Sequence, residues 1–116
     1  MAIVVLETRL TASDIKKARE EYSSYIKITA DLKQQLVAIG GEYHADAEQL
    51  LMKTHGSKQR DIWGGGYNIT SHTFETNAMI NLQPRRNKSL EIIDPAIRNT
   101  FITLVKRKLL RIKSLL

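Results

Sequence analysis

The sequence predicts an α+β domain. A mostly antiparallel sheet of about five strands is packed with three helices, in the order β-α-β-β-α-(β)-β-β-α. Three observations carry this reading. Apolar segments of strand length come in closely spaced pairs joined by short polar turns, which marks hairpins rather than crossovers. Stretches with helical apolar spacing stand between and after those pairs. The length of 116 residues suits a single core, so residues 1–116 are expected to form one domain with its helices on one face of the sheet.

Ile3-Val4-Val5-Leu6 is continuous and β-branched, as a buried first strand should be. Thr11 and Asp14 then make a capping box, with Leu10 and Ile15 at the staple positions. The stripe Ile15, Ala18, Tyr22, Tyr25 extends that helix until Ser23 and Ser24 weaken its end. Ile26, Ile28 and Ala30 alternate with Lys27 and Thr29, and Leu36 to Ile39 returns after the polar turn 31–34. Gly40-Gly41 ends that hairpin. A second helix runs from Ala45 to His55, with Gly56 at its C′ position. Between Ser57 and Thr76 the pattern reads as Ile62-Trp63, a flexible break at Gly64-Gly65-Gly66, and a short strand at residues 67–70. Residues 78–82 alternate as a strand closed by Pro84, Arg85 to Lys88 form a basic turn, and Ser89 to Ile93 return as the partner. Asp94 caps the last helix and Pro95 opens it. Ile97, Phe101, Leu104, Val105, Leu109 and Ile112 make its core stripe.

Composition narrows the chemistry. The chain has no cysteine, which excludes disulfides, thiolate zinc sites and thiol nucleophiles. No apolar run approaches the ~20 residues of a membrane helix. The N-terminus lacks the basic start of a signal peptide, so the expected location is the cytoplasm, with no membrane partner. The net charge of +6 is unevenly placed. Residues 1–50 hold six Lys/Arg against eight Asp/Glu, a net of −2, whereas residues 51–116 hold twelve against four, a net of +8. A basic half of this kind favours a polyanion such as RNA or DNA, although a solvated face has the same composition.

The densest group of polar side chains is GGEYHADAEQLL, residues 40–51. On a helix His44 and Glu48 share a face, which suits a general acid and base; Asp46 stands beside them as a binding residue. The same carboxylates also suit capping and the helix dipole. Two ligands are too few for a metal, so no metal site is expected. Lys58, Gln59 and Arg60 offer donors that complement Asp46 and Glu48, and Trp63 is a further binding candidate. Arg85, Arg86 and Lys88 are expected to be exposed on a hairpin tip, where they either hold an anion or guard the sheet edge. No Walker or dinucleotide glycine pattern is present, and no cofactor follows from the sequence.

Three blocks, AIGGEYHADAEQLL (38–51), HGSKQRDIWG (55–64) and MINLQPRRNKSLEIIDPAIR (79–98), together resemble a family of small prokaryotic proteins classed as a domain of unknown function. The resemblance implies that the blocks belong to one arrangement, and it supplies no activity. Three functions therefore stand open. One is a polyanion-binding protein, expected as a homodimer. Another is a small phosphodiester-cleaving or other hydrolytic enzyme using His44 and Glu48 with Arg85 or Arg86. The last is a protein-interaction module without a ligand.

Overall fold

The computed structural model describes residues 2–116. Its strands are β1 (Ile3–Val5), β2 (Tyr25–Asp31), β3 (Leu36–Gly40), β4 (Ile62–Asn68) and β5 (Thr73–Glu75). Its helices are α1 (Ala12–Ala18), α2 (His44–His55), α3 (Pro95–Lys108) and the short α4 (Ile112–Leu115). Every strand pairing is antiparallel, in the order β1-β3-β2-β4-β5. The α+β class and the five-stranded antiparallel sheet follow the sequence expectation.

Local chemistry explains most boundaries. Thr11 Oγ1 accepts from the Asp14 amide at 3.1 Å, and the Asp14 carboxylate accepts from the Thr11 amide at 3.0 Å. The β2–β3 turn is held by Asp31 Oδ1, which accepts from the amides of Lys33 and Gln34. Gly56 ends α2 in the left-handed conformation at φ 66°. Asp94 Oδ1 accepts from Ala96 N at 2.8 Å and starts α3, with Pro95 in its first turn.

The register sorts side chains onto two faces. One face presents Ile26, Ile28, Ala30, Val37, Ile39, Trp63 and Tyr67, which pack with Ile15, Phe101, Leu104, Val105 and Leu109 of the α1 and α3 side. The other presents Ala38 and Ile62, which pack with Ala47 and Leu51 of α2. Helices therefore cover both faces, not one as the sequence reading had it. The reason is that β3 and β4 carry apolar Ala38 and Ile62 on the second face too, which a single helical layer would leave wet.

Three further expectations are corrected. The first helix stops at Ala18 instead of running to Tyr25. The Arg19 side chain bonds the Ser23 carbonyl at 2.7 Å, and Tyr25 joins β2. The triple glycine is no break. Gly64, Gly65 and Gly66 are buried in the middle of β4, each opposite a β2 residue. Residues 78–93 form no hairpin of strands. They fold as a 3-10 turn, Met79–Asn81, and a loop with two isolated bridges, Asn77 to Glu91 and Gln83 to Asn87.

Two buried asparagines shape that loop. Asn81 Oδ1 accepts from Gly64 N at 2.8 Å, and its Nδ2 donates to Gly64 O at 2.9 Å and Leu90 O at 2.9 Å. The side-chain amide thus pairs with β4 where β5 no longer reaches. Asn87 Nδ2 donates to Asn81 O, Ser89 O and Glu91 O, while its Oδ1 accepts from Ile93 N. A strand could not place these amides inward and satisfy them, so the alternating pattern yields to the loop. Asn81→Ala should strand both backbone groups of Gly64, while the carbonyls of Leu90 and Thr76 keep the amides of Ala78 and Ile92. At about 1–3 kcal/mol each, urea unfolding should show a loss of about 2 kcal/mol or more. A loss below about 1 kcal/mol would mean that water takes over the pairing.

Candidate functional site

Two groups of polar side chains flank β4. The first lies on its α2 side. A side chain on Gly64 would strike Ala78 and the His44 ring, one on Gly65 would come within 2.9 Å of the Phe101 ring, and one on Gly66 would strike the Tyr25 ring. Three rings therefore rest on bare backbone, which is the close approach that glycine within a strand permits. His44 Nε2 lies 2.6 Å from Gly65 O, and since a carbonyl only accepts, this nitrogen carries the proton. Burial pushes the His44 pKa down to about 4, and nearby Lys27 adds to the fall against the opposing pull of the Gly65 carbonyl. His44 is thus neutral at neutral pH and ties α2 to β4.

Glu48 is buried as well, and burial raises its pKa. Among the described residues it makes no hydrogen bond, to His44 or to any other group. Asp46 is half-buried in the first turn of α2, where it complements the dipole without a side-chain capping bond. Tyr25 also has a raised pKa, from burial first and then from Glu75 and Glu91 close to its hydroxyl.

The second group lines a surface groove. A depression of about 690 Å³ is walled by Gln59, Arg60, Asp61, Ile80, Leu82, Gln83, Pro84 and Arg86. Arg60, Asp61 and Arg86 also wall the next one, which continues past Lys33, Trp63 and Leu32 to Ile97 and Thr100 at the start of α3. Leu32 and Thr100 in turn belong to a third, reaching Gln35, Thr103 and Arg107. Shared walls make the three one trough, running from the Asn81 loop to the middle of α3. Arg60, Arg86, Lys33 and Arg107 line it, against the single carboxylate of Asp61. Among the described residues no Lys or Arg pairs with a carboxylate; the ion pair found joins His55 to Glu7 at 3.0 Å.

The residues singled out from the sequence thus fall into separate places. Arg86, Trp63 and Gln59 meet at the trough. The Arg86 guanidinium lies over the Trp63 ring at 5.1 Å, and Trp63 itself is only 2% exposed. Lys58 is exposed just before Gln59, at the entry to a 3-10 turn. Arg85, at a positive φ of 64°, and Lys88 are exposed on the loop, as expected for a basic tip. His44, Asp46 and Glu48 do not line the trough. Ile80 stands between, touching the Gly64 surface on one side and walling the groove on the other.

Sequence reasoning passed over Lys33, Asn81, Asn87 and Tyr25. Glycines flanked by Trp63 and Tyr67 were a usable signal, because glycine inside a strand often marks a seat for a neighbouring ring. Lys33 carried no signal, since its place in the trough depends on long-range packing.

Fold and geometry define a small antiparallel α+β domain with an open cationic trough. The chain belongs to DUF5674, a family described as protein of unknown function, whose pattern covers residues 4–108. This bears out the resemblance to a family of that kind. No curated protein and no solved structure matches the chain.

The buried pair on α2 has a pH signature. With a folded His44 pKa near about 4 against the ordinary 6.5, the unfolded chain takes up a proton first as pH falls. Stability should be complete above that ordinary value and drop by at most about 3 kcal/mol through the window. His44→Gln should flatten this part of the urea-stability profile; a profile parallel to the wild type would show that His44 titrates normally. Glu48 works the other way, since its raised pKa makes the charged form unfavourable in the fold. Glu48→Gln should therefore raise the urea midpoint at pH 7, and an unchanged or lower midpoint would reveal a partner for the carboxylate.

Proposed function

We propose that this protein binds a nucleic acid along the trough between the Asn81 loop and α3. The observation that carries the reading is a row of adjoining depressions that carries four cations, none of them paired to a carboxylate among the described residues. A polyanion of regular charge spacing fits such a surface, because each contact releases counterions. Amide and hydroxyl groups of Gln59, Gln83, Gln35, Asn99, Thr100 and Thr103 alternate with the cations and suit phosphate or sugar oxygens. Basic side chains at the end of α3, Lys106 and Lys108, together with Arg111 and Lys113, extend the positive field.

A hydrolytic role for His44 and Glu48 with Arg86 has less support. The imidazole already donates to Gly65, and Ile80 separates it from the groove. The reading is therefore of binding without turnover.

The test is a salt titration. A labelled RNA or DNA oligonucleotide is bound by the native protein and by a variant carrying Lys33→Gln, Arg60→Gln and Arg107→Gln. The native affinity should fall steeply with salt, and the variant should lose about one unit of log–log slope for each phosphate contact removed. An equal slope in both proteins would overturn the trough as the interface.

A further inference from the structure

The widest part of the trough is unlike the rest. Ile80, Leu82 and Pro84 give it an apolar shelf, Gln59 and Gln83 place amides beside that shelf, and Arg60 and Arg86 stand at its edge. Leu82 is 46% exposed and forms the open part of that shelf. Arg86 is exposed yet held. Its guanidinium carbon lies 5.1 Å from the centre of the Trp63 ring, and Nη1 donates to Arg60 O and, at 3.0 Å, to Gln83 Oε1. Its Nη2 and Nε make no hydrogen bond among the described residues. Gln83 uses its oxygen on Arg86, and its Nε2 is buried without an acceptor. A phosphate alone leaves the apolar shelf unused.

We infer that the Arg86–Trp63 stack and the adjoining shelf seat one unpaired nucleobase, so that the strand held in the trough is single. This rests on the nucleic-acid reading above and makes it more specific. The base lies against the outer side of the guanidinium or on the Leu82–Pro84 shelf, its edge toward the Gln59 amide, with its phosphate reaching the free Arg86 donors. A duplex keeps its bases stacked inside and offers the shelf nothing. A planar guanidinium can be one layer of such a stack, whereas an ammonium cannot.

The experiment uses the full chain and its only tryptophan, Trp63, as the reporter. Oligouridine, oligothymidine, a duplex of equal charge and inorganic polyphosphate are each titrated into native protein and Arg86→Lys, following anisotropy and tryptophan emission. Single strands should shift Trp63 emission on saturation, while polyphosphate and duplex should not. Arg86→Lys should weaken single strands by about tenfold more than it weakens polyphosphate, tenfold being the loss of one base stack. Equal weakening of all four ligands would make Arg86 a simple charge and overturn the base seat while the polyanion reading stood. Saturable single-strand binding with unmoved Trp63 emission would also overturn it. If native protein retains none of the four, the nucleic-acid reading fails and the seat with it. Melting curves of Arg86→Lys with and without polyphosphate exclude loss of folding as the cause.

Discussion

The pairing of the Asn81 side chain with the backbone of Gly64 is the contact on which the rest of this architecture hangs. A strand of glycines has no side chains of its own to hold it in a sheet, and its edge is open where β5 ends. Asn81 supplies both halves of a ladder rung from a side chain, and Asn87 then secures the backbone of Asn81. Because that rung fixes the 3-10 turn, it also fixes Ile80 over Gly64 and brings Arg86 onto Trp63. One buried amide therefore connects the interior of the sheet to the surface where a ligand would meet it.

Around β4 the chain separates two kinds of polar chemistry. On the α2 side, burial keeps His44 neutral, and the imidazole bridges a helix to a strand much as a backbone amide would. On the trough side the cations remain in water, and several are steadied by neutral oxygens, as Arg86 is by Arg60 and Gln83 and Arg107 by Gln35. Held this way, a guanidinium keeps its full charge and loses less freedom on meeting an anion.

The sequence made much of this legible. Capping signals placed the starts of α1 and α3, and Gly56 the end of α2, because each depends on neighbours within a few residues. The β2–β3 hairpin and the core stripe of α3 were equally local. Residues 62–93 were misread because their conformation answers to distant groups. Gly64 to Gly66 look flexible until Phe101 and Tyr25 are set against them, and residues 78–82 alternate like a strand until Asn81 turns inward. The site divided in the same way. Exposure of Arg85, Arg86 and Lys88 followed from their own chemistry, whereas the trough joins residues as far apart as Lys33 and Arg107 and had no signature in either segment.

The scarcity of ion pairs makes the charge of this molecule separable from its fold. Surface pairs between Lys or Arg and carboxylates contribute little anywhere, and among the described residues here there are none. The basic side chains with a structural part, Arg19 and Arg86, bond to carbonyl and amide oxygens, which salt hardly disturbs. Salt therefore screens little of what holds this fold together. Charges outside the trough can be altered in number and position without disturbing the asparagines and glycines beneath them.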